Sequence, residues 1–221
     1  PDAVALTKLG LYSLQHRGQE SAGIVAVDDD GAARGVRSMG LVSDINTAQL
    51  DALTGVMAIG HTRYSTAGSS SIENAQPVLV SSRGGHICLA HNGNLTNAGE
   101  LRTELEDLGS IFASSMDSEV IVHRLARSTA GSPEARLAEA LRDVEGAYSI
   151  LVLLGDTLLA TRDPRGWRPL AMGRLDGQPV FGSETCALDI VGATYERDIA
   201  PGEIFAVAAS GERSIFPFEK K

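Results

Sequence analysis

Apolar residues recur at helical spacing from the start of the chain. Val4, Leu6, Leu9, Tyr12 and Leu14 fall on one face, Asp2 stands before them as a cap, and His16-Arg17-Gly18 closes the run. The period then changes. Residues 21–27 (SAGIVAV) read as a strand, 28–31 as its turn, and a second strand follows near 33–39. A short helix is predicted over 47–53, a strand over 57–64 (MAIGHTRY), a loop over 65–76 and a strand over 86–90 (HICLA). Leu101, Leu105 and Leu108 line one face of a helix that opens with Asn97 followed by Glu100, a capping-box variant. Asp117 or Ser118 opens a second helix through Val122 and Leu125, and Ser132-Pro133-Glu134 opens a third, with Pro at the first helical position. Strands follow at 148–154, 157–161, 169–173 and 179–182, separated at Gly155-Asp156 and Asp176-Gly177 by hairpin turns, and a last strand covers 203–208.

Strands thus come in hairpin pairs, with the helices gathered in a block between them. That order argues against alternating βα units and for an α+β domain of largely antiparallel sheets with helices packed outside. There is no internal repeat, low-complexity tract or evident linker, so one domain is expected.

Composition narrows the function classes. The chain has 221 residues, 43% of them hydrophobic, enough for a sizeable core. A net charge of −9 and a pI near 5.0, with no run of Lys or Arg, argue against a nucleic-acid or anionic-membrane surface. The longest apolar stretch, 147–154 (AYSILVLL), suits a buried strand and falls far short of the ~20 residues of a spanning helix. Cys88 and Cys186 form neither a disulfide framework nor a CxxC clip, which fits a reducing cytoplasm. No signal peptide is expected. The opening Pro1-Asp2-Ala3 and the closing Phe218-Glu219-Lys220-Lys221 lead to the expectation that both ends are cuts within a longer polypeptide.

Candidate chemistry centres on LAHNGNLTN, residues 89–97. A hairpin at Asn92-Gly93 would need a second strand directly after it, and a capped helix follows instead. The alternative is a turn at a strand end, where the Asn amide and the Gly N–H stand side by side as donors for a developing oxyanion. Arg63 ends an apolar strand before the small, polar stretch 65–71, which resembles a lid or binding loop. Its guanidinium suits a carboxylate ligand and equally a structural salt bridge. Asp117 suits either an ammonium ligand or a helix cap. Cys88, within HICLA, reads as a core thiol; Cys186, at a strand-to-helix junction, also reads as structural. The five histidines show no metal-binding spacing, and there is no phosphate loop, dinucleotide fingerprint or serine elbow. From the residues alone this is an α+β domain with a small anionic-ligand site around Arg63, Asn92, Gly93 and Asp117.

Six stretches in order, GLYSLQHRGQESAGI (10–24), IGHTRYSTAGSSSIENAQP (59–77), LAHNGNLTN (89–97), SSMDSEV (114–120), RDPRGWRPL (162–170) and SETCALDIVGATYERDIAPGE (183–203), span nearly the whole chain. Together they resemble the glutaminase domain of the amidophosphoribosyltransferase family, which opens purine synthesis. The resemblance implies an N-terminal-nucleophile hydrolase fold, a four-layer αββα sandwich of antiparallel sheets. It implies an N-terminal cysteine thiolate that attacks the glutamine amide, with its own α-amine as base, through a γ-glutamyl thioester. On the matching motifs, Asn92 and Gly93 would form the oxyanion hole, and Arg63 and Asp117 would bind the α-carboxylate and α-ammonium of glutamine. Thr66 and its loop would close over the substrate, and Arg17 would hold the nucleophile.

That cysteine is expected about ten residues upstream of Pro1 on the family pattern. Met116 stands where a small hydroxyl residue is commoner. The resemblance further implies a C-terminal phosphoribosyltransferase domain as partner, absent here, which would bring phosphoribosylpyrophosphate, Mg and, in many bacterial members, a four-iron–four-sulfur cluster. No metal site is expected within this chain, and a homo-oligomer is. Two other readings stay open: the glutaminase domain of a glucosamine-fructose-6-phosphate aminotransferase, which shares the HRG, GHTR and HNG elements, and a non-catalytic glutamine-binding domain. The serine-rich loop ending in ENAQP, together with SETCALD, favours the purine family over the first.

Overall fold

The computed structural model describes residues 2–64 and 70–218. Helix α1 (Ala3–Ser13) begins where its cap predicts, with Asp2 Oδ1 accepting the Val4 N–H at 2.9 Å. Strand β1 (Ser21–Val27) is buried along its whole length between β2 (Ala33–Met39) and β3 (Met57–Arg63). Its small and β-branched residues suit a strand covered on both faces. The short helix α2 (Thr47–Asp51) caps one end of this core through Leu50.

A six-stranded antiparallel sheet forms the centre, in the order β12-β11-β7-β6-β5-β4. Its strands are β4 (Val78–Ser82), β5 (Gly85–Leu95), β6 (Gly146–Leu154), β7 (Thr157–Arg162), β11 (Ile204–Ala208) and β12 (Gly211–Ile215). Helices α3 (Ala98–Asp107), α4 (Glu119–Arg127) and α5 (Pro133–Leu141) cover one face, where Leu101, Ile121 and Leu137 meet Leu89, Ile150 and Leu159. On the other face Cys88, Ala90 and Leu153 pack against Val25, Val27 and Ile59 of the first sheet. A third sheet, β10-β8-β9, built from β8 (Ala171–Leu175), β9 (Gln178–Gly182) and β10 (Thr194–Asp198), packs there too, through Met172 against Ala160 and Phe205. Helices α1 and α6 (Cys186–Val191) form the outermost layer, α6 setting Leu188 on Ala171 of β8. The result is the αββα sandwich expected above.

The second sheet layer is divided, however. Among the described residues, β3 pairs only with β1, and β9 only with β8. Between these two unpaired edges runs an apolar slot of about 300 Å³, roofed by Leu6 and Gly10 of α1 and walled by Ile59 and Val180.

Three strands carry no apolar alternation and were not predicted. β10 (TYERD) and β12 (GERSI) are edge strands with mostly exposed side chains, held by backbone pairing. β4 is short and follows directly on Pro77. The Asp176-Gly177 turn has the expected left-handed pair, φ 50° and 80°. The capping box at Asn97 does not form. Asn97 instead donates to Asp143 O at 2.8 Å and accepts the Glu145 N–H at 3.0 Å, tying the start of α3 to the entry of β6. Ser132 does cap α5, accepting the Ala135 N–H.

Candidate active site

The long strand β5 organises the site. Asn92 and Gly93 are neither a hairpin nor a strand-end turn: they lie inside the strand, opposite Ser149 and Tyr148 of β6. A turn-rich dipeptide is held extended here because β6 supplies a partner more than fifty residues away, information that local spacing does not contain. Even-numbered side chains point toward the second sheet layer: Cys88 and Ala90 are core, and Asn92, next in the series, stands where that core opens into a cleft. The Asn92 Nδ2 is buried and has no hydrogen-bond partner among the described residues.

Backbone directions along the same strand alternate as well. The His91 N–H donates to Gln76 Oε1 at 2.7 Å, and the Leu95 N–H donates to Asp117 Oδ2 at 2.8 Å, both on the side away from β6. The N–H of Gly93, midway between them, therefore points the same way. It has no acceptor among the described residues, so two donors, one amide and one backbone, stand open at adjacent positions.

The cleft has a volume of about 410 Å³ and is lined by Arg17, Arg63, Asn92, Gly93 and Asp117 among others. It thus gathers every predicted site residue except Thr66, which lies outside the described residues. Asp117 caps no helix through its side chain in the way first considered. It accepts from Leu95, and its Oδ1 lies 3.7 Å from His91 Nδ1. Burial pushes its carboxyl up, but the His91 ring and the N–H groups of Leu95 and Ser118 outweigh that and hold it below the usual range. Met116 is buried in the helix-side core, and the hydroxyl contacts of this loop come from its neighbours. Ser115 exchanges hydrogen bonds with Asn74, and Ser114 donates to Glu119.

Arg63 is buried, 6% exposed, and donates to Glu20 at 2.6 Å. Gly18 lies so close to the Arg63 backbone that a Cβ there would stand 2.4 Å from the Arg63 carbonyl carbon, which explains the glycine in QHRG. Arg17 pairs with Glu184 at 2.5 Å, and His16 Nε2 reaches the same carboxylate at 3.0 Å. The Arg17 hydrogen bond is the main reason that the Glu184 carboxyl sits below its ordinary range. Cys186 is half-buried, with Sγ 3.8 Å from Glu184 Oε2, and does not line the cleft; Cys88 is fully buried, and burial pushes its thiol up to about 12.

Gln76, His61, Glu20 and Glu184 were not singled out from the sequence, although ENAQP, GHTR, QHRGQE and SETC contain them. His61 borders both the slot and the cleft. Its Nε2 donates to the His91 carbonyl at 3.0 Å, which leaves Nδ1 as a buried acceptor without a partner among the described residues. Burial first, then the neighbouring His91, Arg63 and Arg17, lowers its pKa from 6.5 to about 4. Between those values the unfolded chain binds a proton that the folded chain refuses. Stability is therefore fully present above pH 6.5 and is lost as pH falls toward 4. Urea denaturation at pH 7.5 and pH 5 is expected to show up to about 2 kcal/mol lost through this group, the full proton linkage of that interval. His61→Gln is expected to flatten that part of the slope; an unchanged slope would remove His61 as its source.

Comparisons with known proteins give the chain its relatives. Residues 61–189 match the model of the glutamine amidotransferase domain family. Amidophosphoribosyltransferase 3 of Arabidopsis thaliana is 48% identical over 219 residues, 98% of this chain and 41% of its own length. Amidophosphoribosyltransferase of Rhizobium etli is 48% identical over 217 residues, 97% of this chain and 44% of its own. The solved glutamine phosphoribosylpyrophosphate amidotransferase of B. subtilis superposes with a TM-score of 0.92 at 41% identity, covering 98% of this chain and 47% of that one. The chain therefore spans less than half the length of these relatives. No helix among the described residues is long and apolar enough to cross a membrane.

Proposed function

From the premise that this chain belongs to the glutamine amidotransferase domain family, we propose that it hydrolyses glutamine and delivers the ammonia to phosphoribosylpyrophosphate, forming 5-phosphoribosylamine. The observation that carries the glutaminase half is the buried, unpartnered Asn92 Nδ2 beside the open N–H of Gly93. A buried donor without an acceptor costs about 1–3 kcal/mol, a cost that makes sense where an oxyanion forms during reaction. The relatives named above favour the phosphoribosyl acceptor over a hexose phosphate.

In this reading a cysteine thiolate adds to the γ-carboxamide carbon, and the carboxamide oxygen becomes an oxyanion held by Asn92 Nδ2–H and Gly93 N–H. The tetrahedral species collapses with cleavage of the C–N bond. The α-amine of the cysteine, having taken up the thiol proton, gives it to the departing nitrogen, and ammonia leaves. Water then hydrolyses the γ-glutamyl thioester to glutamate and restores the thiol. Arg63 binds the substrate α-carboxylate, Asp117 its α-ammonium, and Arg17 steadies the nucleophile from the cleft wall; Thr66 and its loop cover the substrate. The cysteine lies on a segment upstream of Pro1 that pairs with the free edges of β3 and β9 along the apolar slot. Slot and cleft share Leu11, Leu14, Gly60, His61, Asn92 and Ser183, so such a segment would end at the two donors.

The phosphoribosyltransferase domain, Mg and, if present, a four-iron–four-sulfur cluster belong to the remainder of the polypeptide. Among the described residues no group of three or more His, Cys, Asp or Glu side chains is arranged to hold a metal. A homo-oligomer in a reducing cytoplasm completes the proposal, the free Cys88 and Cys186 fitting such a compartment.

The deciding test uses the natural full-length polypeptide: intact mass and N-terminal sequencing, then release of glutamate from glutamine, then pyrophosphate release from phosphoribosylpyrophosphate with glutamine or free ammonia as donor. An N-terminal cysteine, with activity lost on its change to Ala, is the expected result. Any other residue there leaves the donors without a nucleophile and favours a glutamine-binding role. Arg63→Ala is expected to raise the KM for glutamine by about 10²-fold, with a smaller change in kcat, because the carboxylate contact is made in ground and transition states alike. A thermal melt of the same variant separates that effect from loss of the Glu20 pair.

A further inference from the structure

Strand β4 stops pairing with β5 at Val78 opposite Leu89. Continued in register, the ladder would set Gln76 opposite His91 and Asn74 opposite Gly93, and a backbone carbonyl would then take the Gly93 N–H. The chain turns away instead. The backbone carbonyl of Gln76 lies against Gly23 of β1, and the carbonyl of Ala75 accepts from Arg37 Nη1 at 3.0 Å. The buried side chain of Gln76 reaches back and takes over the pairing of His91, with Oε1 accepting its N–H at 2.7 Å and Nε2 donating to its carbonyl at 3.4 Å.

We propose that Gln76 is a positioning residue for the oxyanion hole. It replaces one rung of the ladder with a side-chain amide, so that β5 is held as rigidly as a paired strand through His91 while the next outward N–H, that of Gly93, is left open. A ladder continued through position 74 could not do both, since it would close the N–H of Gly93 as well as that of His91. Asn74, at the register position opposite Gly93, is drawn off by its hydrogen bonds with Ser115. The same segment, residues 74–76, thereby ties the oxyanion strand to the loop that carries Asp117.

This inference rests on the glutaminase reading, and its test separates the two. In the natural full-length protein, amide hydrogen exchange is expected to show the His91 N–H protected and the Gly93 N–H unprotected without ligand. The Gly93 N–H should become protected once a γ-aldehyde analogue of glutamate forms its tetrahedral adduct. Equal protection of both amides in the free protein would overturn the proposal whatever the enzyme's activity. In kinetics, Gln76→Met keeps length and packing but removes the polar atoms. It is expected to lower kcat by about 10-fold or more, with KM changed less than about threefold, and to weaken the aldehyde adduct in proportion. Gln76→Glu, which keeps the acceptor for His91, is expected to recover most of kcat. A folded Gln76→Met enzyme with unchanged kcat, or one whose KM alone rises, would overturn the assignment. Loss of activity in Asn92→Ala together with no effect of Gln76→Met would leave the glutaminase reading standing and this one refuted.

Discussion

Asn92→Ala in the full-length enzyme is expected to lower kcat for glutamine hydrolysis by about 10²–10³-fold and to leave the KM within about threefold. The magnitude follows from where the amide sits. Asn92 Nδ2 is shielded from water and unpartnered at rest, so the substrate oxyanion meets a donor that needs no solvent reorganisation to serve it. In the ground state the carboxamide oxygen carries little charge and gains little from the same contact, which is why KM should barely move. Asn92→Asp sharpens the test. The shape is retained, but a carboxylate at this position repels the oxyanion, and kcat should fall at least as far as in the alanine variant. Steady-state kinetics with a thermal melt on each variant decides the matter. A rise in KM alone would take the oxyanion role away from Asn92, and a parallel drop in melting temperature would mark the side chain as structural.

Much of the frame could be read from periodicity. α1 with its Asp2 cap, the β1–β2 hairpin, α5 with Ser132 and Pro133, and the β8–β9 turn at Asp176-Gly177 all form where short-range pattern and turn chemistry place them. Each is decided by residues within one turn or one hairpin of itself. The exceptions share the opposite property. β10 and β12 bury almost nothing and exist because a neighbour offers a free edge. Asn97 has the right spacing for a cap, yet its side chain finds better partners at Asp143 and Glu145, on the far side of three helices in sequence.

The site shows the same division. Arg63 stood out as a charge at the end of an apolar strand and Asp117 as one at the opening of a helix, and both do line the cleft. Their partners did not stand out. Glu20 precedes β1 and becomes the ion partner of Arg63 because β1 and β3 pair Ser21 with Arg63. Glu184 reaches Arg17 across 167 positions because α6 packs on α1. Gln76 looks like a loop residue before a proline until the ladder is traced. Asn92-Gly93 was the sharpest lesson: its dipeptide chemistry says turn, whereas the alternation of N–H directions along β5 makes it a pair of donors only because it is strand. The donors could be named from the sequence, but the reason they are open could not.

Gly93→Ala is expected to destabilise the domain by about 2–4 kcal/mol and to reduce glutaminase kcat to near background. The cause is backbone and space together: φ is 158°, in the positive range that L side chains rarely adopt. A Cβ at this position would overlap the carbonyl oxygen of Ala147 on β6 and stand 2.7 Å from His91 Nε2. Neither neighbour yields cheaply. Ala147 lies within the β5–β6 ladder, and the His91 ring is buried, with its backbone clamped by Gln76. Relief must come from a shift of β5 itself, which would carry the Gly93 N–H and Asn92 amide off their common target. Gly99→Ala supplies the contrast. That glycine is exposed in the first turn of α3 with nothing within 4 Å of an added Cβ, so its change should be neutral or stabilise by up to about 1 kcal/mol and leave kcat alone. Urea denaturation and steady-state kinetics on the pair give the comparison. If Gly93→Ala keeps wild-type stability and turnover, then Gly93 does not sit inside β5 against Ala147, and the oxyanion hole must be sought elsewhere in the cleft. If stability falls while kcat per folded molecule holds, the N–H of Gly93 is packing geometry, and Asn92 would have to hold the oxyanion alone.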